Sequence, residues 1–436
     1  MIRPQIAKIS YLRKSILINC SIMILWWIAF NPGFFSGDSF AVINMARNRQ
    51  LNSSWTAPWA IFIDKITIGG KHPEFATLVI AILLGVSVAI FANSVTNGKL
   101  AIWIGAILTS TPTVGAMGIT LWHDIPMTAG FLLVVSAIAH VNKSQRNAYL
   151  LMAVGLILAS FRHNGLPAIL LLLLILLTLT NNRKFLLISI LMSVLLIFCT
   201  VGLNQNLANS KSSGNSAYLG WMRNDISCYL SQNSNPSFLI STYGTSVNIE
   251  SWKSASACKW FSDAKNSSDY SAQLESKVPH AWFLLFKEDP YFIASTHLKR
   301  HAYLLPIPIY GIPNIPFIHT TIELKNQDIQ FTYPTVTENL RYYPRLWNFF
   351  KFFFGYAGFW LALTFLIAWK RKSGYYFQIG LLGLIESLGF FIFADIPDGR
   401  YMLFSLIAGQ FILFYEMIEP GKRLFQKLQK SIRGSS

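Results

Sequence analysis

The sequence predicts an all-α, multi-pass membrane protein of about ten transmembrane helices, and three observations predict it. Of its 436 residues, 53% are hydrophobic and only 13% are charged, about half the charged share of an ordinary soluble domain. The apolar residues gather in long runs, such as the uncharged stretch from Leu166 to Thr180. The basic residues concentrate in alternate connections between those runs. Composition therefore excludes a disordered chain, a disulfide-held miniprotein and a soluble domain. A net charge of +17 would suggest nucleic acid as partner of a soluble chain; between apolar runs it reports orientation, and no nucleic-acid partner is expected.

The runs lie near residues 15–35, 74–92, 100–119, 126–141, 148–161, 165–180, 185–203, 346–369, 377–394 and 402–418. The first is long enough to span and lacks a small-residue cleavage pattern, so it reads as a retained helix rather than a signal peptide. The fifth and sixth are short and meet at Arg162-His163-Asn164-Gly165. A helical hairpin that does not fully cross is the other reading there, but two crossings keep the later basic clusters on one side. With the N-terminus inside, Arg13, Lys99, Lys143, Arg183, Lys370 and the tail from Lys422 to Arg433 all fall on the cytoplasmic side. Both termini are expected there.

The chain then divides into an N-terminal membrane part (1–203) that includes the first outer loop, an extracytoplasmic segment (204–345), and a C-terminal membrane part with a basic tail (346–436). The segment is rich in Ser and Asn and close to charge balance, and a mixed structure is expected for it. Its runs at Asn204 to Asn215 and Ser231 to Ser237 read as loops, whereas Ala281 to Leu305 carries helical periodicity through Phe283, Phe286, Phe292, Leu298 and Leu304. Prolines at 306, 308, 313 and 316 preclude a long helix and suggest chain lying along the membrane surface. Cys20 and Cys199 sit in apolar runs as filler; Cys228 and Cys258 could form one disulfide if that side is oxidising. No cysteine spacing resembles a zinc site. No internal repeat is evident, which weakens a transporter built on inverted halves.

Four polar turns share the outer side: Gly37-Asp38-Ser39, Trp122-His123-Asp124, Arg162-His163-Asn164, and Asp395 through Tyr401 with Asp398 and Arg400. Ionisable groups at a membrane boundary are costly to desolvate and persist where they pair or face a polar cavity. Each has an ordinary reading. Asp38 suits a solvated turn, Asp124 could pair with His123 or cap the helix ahead of Pro126, and Arg162 could pair with Asp124 or Asp398. Arg400-Tyr401 could be an interfacial anchor, Lys299-Arg300-His301 a basic helix on anionic lipid, and Glu386 a partner of a neighbouring helix. Together they make chemical sense: a carboxylate can take a proton from an acceptor hydroxyl, and guanidinium groups can hold a phosphate leaving group. A sugar carried on a polyprenyl phosphate requires both. Arg300 is a second phosphate-binding candidate.

In their order, these motifs resemble the GT-C superfamily of multi-span glycosyltransferases, which use polyprenyl-phosphate sugars and include the serotype-converting, O-antigen-modifying glucosyltransferases of bacteria and phages. Pro32-Gly33-Phe34-Phe35-Ser36-Gly37-Asp38-Ser39 resembles the family's first loop, with its catalytic acid just after the first helix. Trp122-His123-Asp124 resembles the turn with the second acid, Arg162-His163-Asn164-Gly165 an Arg-x-Asn-Gly element, and Arg400-Tyr401 an Arg-Tyr pair opening a late helix. The resemblance implies a GT-C-like bundle in the bacterial inner membrane, working at its extracytoplasmic face on O-antigen or a related lipopolysaccharide glycan of the cell envelope. It makes Asp38 the general base, has Asp124 orient the acceptor or a cation, and puts Arg162, His163, Arg400, Tyr401 and Arg300 around the donor phosphate. No Asp-x-Asp follows the first span, so no metal cofactor is expected, although Asp38 and Asp124 could share a divalent cation. The donor, the glycan acceptor and membrane lipid are the partners implied. The closest rival is an O-antigen polymerase or ligase using diphosphate-linked glycans; a lipid or glycan transporter is the rival of another class.

Overall fold

Helices make up nearly all of what the structure, a computed structural model, describes: residues 2–49, 55–96, 98–179, 182–207, 216–233, 237–243, 253, 258, 272–300, 357–371, 374–393 and 402–433. Among these residues no strand occurs, and the one extended pairing is a parallel bridge between Phe34 and Thr120. Among the described residues three helices are long and apolar enough to cross a membrane: α1 (Ile2–Ala29) over Ser10–Ala29, α4 (Pro73–Val95) and α10 (Arg183–Leu207) over Arg183–Asn206. A fourth is added if α5 (Lys99–Ser110) and α6 (Pro112–Gly118) count as one span. Between α1 and α4 lie two short helices, α2 (Gly37–Asn48) and α3 (Ala57–Ile66).

The third apolar run is thus not the straight span expected. Its helices bend by 72° where Thr111, in an extended conformation, precedes Pro112. A proline ring clashes with a helical residue before it and offers no N–H, so the first helix stops and a second starts. The next three runs are helical but short: α7 (Asp124–His140) has 17 residues, and α8 (Gln145–Ala159) and α9 (Gly165–Leu179) have 15 each. At about 1.5 Å per residue, a 15-residue helix covers about 22 Å of a hydrocarbon layer about 30 Å thick. The C-terminal part contributes α15 (Ala357–Arg371), α16 (Gly374–Phe393) and α17 (Leu403–Arg433).

Small residues let the helices approach. A Cβ added to Gly130 in α7 would lie 2.5 Å from the Gly155 carbonyl oxygen in α8, and one added to Gly155 would lie 2.9 Å from that of Gly130. Backbone therefore meets backbone across this hairpin, as in membrane helix pairs built on glycine. The same contact aligns the start of α7 with the end of α8. In α1, the buried Asn19 accepts from Thr109 Oγ1 of α5 at 3.1 Å and donates to the Ser15 carbonyl at 2.8 Å, so the polar side chain is satisfied inside an apolar interface. At the other end of the bundle, Ser94 meets His140 Nδ1 at 3.3 Å, and Glu416 of α17 accepts from Arg371 of α15 and from Tyr376 of α16.

The described part of the segment between α10 and α15 has a small core of its own. α11 (Ser216–Gln232), α12 (Ser237–Tyr243), α13 (Ala272–Glu288) and α14 (Pro290–Arg300) bury Ile226, Leu230, Leu239, Val278, Leu285 and Ile293 together. Cys228 and Cys258 are disulfide-bonded. Two expectations need correction. The start of the loop expected from Asn204 is the end of α10, and Ser231 lies in the last turn of α11. The helix expected from Ala281 is two helices parted at Asp289, ahead of Pro290, and its buried face is Val278, Ala281 and Leu285. Phe283 is 48% exposed and Phe286 43%: these two rings lie outward, while the interface between helices is filled by Val278, Ala281 and Leu285 with Trp282 packed on Trp221 of α11. The proline-rich stretch falls outside the described residues.

Candidate active site

The loop after α1 is fastened backbone to backbone onto the connection between α6 and α7. Phe34 N–H donates to the Ile119 carbonyl at 3.1 Å, and Leu121 N–H donates to the Phe34 carbonyl at 3.0 Å. Side chains complete the joint: Ser39 Oγ donates to the Leu121 carbonyl at 2.8 Å, and Trp122 Nε1 donates to Ser36 Oγ at 2.8 Å. Ser36 N–H in turn donates to Ser39 Oγ at 3.0 Å, which caps the start of α2. Asp38 is the second residue of that helix and is part-exposed; a carboxylate is favoured there by the positive end of the helix dipole.

Asp124 begins α7 and is fully buried. It forms an ion pair with Arg162 from the turn between α8 and α9, and its second oxygen is 3.9 Å from His123 Nδ1. The glycine contact between α7 and α8 brings this acid and this arginine together. Isolated burial of either charge would cost several kcal/mol, so each requires the other. The same turn is joined to the first loop, because Thr56 Oγ1 donates to the Phe161 carbonyl at 2.8 Å. Aromatic rings wall the joint: Trp55 lies edge-on to His123 with centroids 5.0 Å apart, and Trp59 packs on Phe161 at 5.7 Å. Asn204 Oδ1, near the end of α10, accepts from Ala57 N–H at 2.5 Å.

Three of the four polar turns therefore meet at one end of the bundle, with Asp38, Asp124, Arg162 and His163 in them. Arg162 has found one of the ordinary partners considered for it, Asp124. Glu386 of α16 accepts through Oε2 from Ser405 Oγ of α17 at 3.1 Å, a pairing between neighbouring helices. Arg300 ends α14, with its side chain outside the described residues; Asp398, Arg400 and Tyr401 lie outside them altogether. Among the described residues no three of His, Cys, Asp and Glu gather as metal ligands.

Sequence reasoning passed over His72 and Glu74. Glu74 is the second residue of α4, fully buried, and its Oε1 is 3.2 Å from His72 Nδ1. The signal was present: His72-Pro73-Glu74 opens an apolar run with a histidine, an acid and a proline, the same ingredients as His123-Asp124-Ile125-Pro126.

No family model, no curated protein and no solved structure matches this chain. The functional reading consequently rests on the residues themselves.

Proposed function

We propose that the chain is a membrane glycosyltransferase of GT-C type that moves a sugar from a polyprenyl-phosphate carrier to an extracytoplasmic glycan acceptor. The observation that carries this reading is the joint itself: the loop holding the part-exposed Asp38 is locked to the turn holding the buried Asp124–Arg162 pair. A part-exposed acid on a loop fastened to the turn that holds a paired guanidinium suits general-base chemistry near an anionic leaving group. In this reading the acceptor hydroxyl loses its proton to Asp38 as its oxygen attacks the anomeric carbon. The bond from that carbon to the phosphate oxygen breaks with inversion, and the polyprenyl phosphate departs toward Arg162, with His163, Arg300, Arg400 and Tyr401 as further contacts. Asp124 takes a narrower role than the resemblance implied. Buried and paired, it positions Arg162.

The reading includes ten crossings of a bacterial inner membrane, both termini cytoplasmic and the joint outside. The short α7, α8 and α9 are compatible with crossings where charged turns sit at the interface and the bilayer thins around them. The Cys228–Cys258 bond supports an oxidising side for the outer segment. Purified protein supplied with undecaprenyl-phosphate glucose and a lipid-linked O-antigen is expected to transfer glucose, and Asp38→Asn to lower kcat by at least about 100-fold. Undiminished turnover in Asp38→Asn would remove that residue from the mechanism. Turnover only with diphosphate-linked glycan donors would replace the reading by a polymerase or ligase.

A further inference from the structure

The Asp124–Arg162 pair accounts for one side of the joint; the other side, against α4, holds a group without a use. Asn31 is 6% exposed, and both its Oδ1 and its Nδ2 are buried with no hydrogen-bond partner among the described residues. An amide that leaves water and pairs with nothing costs free energy on both atoms, and native folds seldom retain one.

Its backbone has no freedom to relieve that cost. The next residue, Pro32, has its carbonyl held by Thr77 Oγ1 of α4 at 2.7 Å, and Thr77 Oγ1 also accepts from Trp27 Nε1 at 3.0 Å. Gly33 is wedged so closely that a Cβ there would fall 2.5 Å from the Ile119 carbonyl oxygen and 2.9 Å from Thr77 Cβ. Glu74 lies less than one turn before Thr77, whose hydroxyl reaches the Glu74 carbonyl at 2.9 Å. The chain just after Asn31 is therefore clamped to α4 at Thr77, about one helical turn from the buried Glu74 and its partner His72, at the start of the loop that carries Asp38.

We infer that Asn31, together with Glu74 about one turn along α4 from the clamp at Thr77, forms a subsite for the hydroxyl groups of the transferred sugar. A sugar hydroxyl both donates and accepts, and an amide and a carboxylate together offer both complements. A phosphate is a poor fit, because it brings only acceptors and negative charge toward Glu74. The phosphate then belongs on the Arg162 side and the sugar on the α4 side, with Asp38 on the loop between them. This division of labour rests on the donor reading above.

Thermal-shift titration of the purified full-length chain tests it, with undecaprenyl phosphate and undecaprenyl-phosphate glucose as probes. Wild-type protein is expected to bind the glucosylated carrier about tenfold more tightly than the bare one, and Asn31→Leu to lose that preference while still binding the bare carrier. Because the amide has no partner among the described residues, the ligand-free midpoint of Asn31→Leu is expected to equal or exceed that of wild type. Asn31→Ala guards against a steric effect of leucine. A preference kept by both variants would overturn the subsite, as would a ligand-free midpoint lowered in both, which would make Asn31 a structural group. Wild-type protein binding the two carriers equally would overturn the subsite and leave the donor reading standing; binding neither would remove both.

Discussion

The end of the bundle that carries the polar turns and the helical unit of residues 216–300 are both stitched across long sequence distances, by different means. At the bundle end, residues about 80 to 105 positions apart are joined by individual hydrogen bonds, Ser36 to Trp122, Ser39 to Leu121 and Thr56 to Phe161, and by one buried ion pair. In the outer segment a covalent bond closes a 30-residue separation over a small apolar core. The first arrangement fixes the directions of particular side chains. The second holds a layer together while leaving Phe283, Phe286 and Tyr291 exposed. On the proposed function, directional bonds suit chemistry that requires an acid and a cation at set positions, and a stapled layer suits a surface that selects the acceptor.

Breaking the ion pair should produce the largest effect. Asp124→Ala and Arg162→Ala are each expected to lose about 3–5 kcal/mol, since each strands a buried charge. Asp124→Asn combined with Arg162→Gln should lose much less than the sum of its single changes. Thermal midpoints in detergent read this non-additivity, and additive losses would mean that the two groups act separately. Next, Cys228→Ser with Cys258→Ser should cost the outer segment about 2–4 kcal/mol, while proteolysis detects opening there and none of the bundle. Opening of both together would deny that the two regions are separable. The smallest effect is expected from Gly130→Ala, about 1–3 kcal/mol from one methyl driven against the Gly155 carbonyl. It should also lower the coupling between Asp124 and Arg162, because the hairpin would be pushed apart. An unchanged coupling energy would show that the glycines merely pack.

The sequence displayed some of this plainly and concealed the rest for physical reasons. Uncharged runs mark helices because a bilayer demands them, and the bend at Pro112 could have been read from Thr111-Pro112 within such a run. That Asp124 and Arg162 meet could only be suggested as one pairing among several, since the contact depends on how closely α7 and α8 approach, and that depends on two glycines 25 positions apart. Burial on α13 does not follow from hydrophobicity alone: Phe283 and Phe286 point outward, while Val278, Ala281, Leu285 and the edge of Trp282 face α11, where Trp282 meets Trp221 and donates to Asp225. Nothing in the letters around Asn31 announces an amide without partners; that is a property of the clamp formed by Thr77 and Ile119.

Single cysteines at Gly37 and His163, with Lys143→Cys as the opposite-end control, put the convergence of the polar turns on one outer face to its most direct test. In a background lacking the native cysteines, a membrane-impermeant maleimide applied to intact cells with a permeabilised outer membrane should label Gly37→Cys and His163→Cys. Lys143→Cys should react only after the inner membrane is opened. Labelling of Gly37→Cys and His163→Cys from opposite sides, or of all three from one, would contradict a shared extracytoplasmic site.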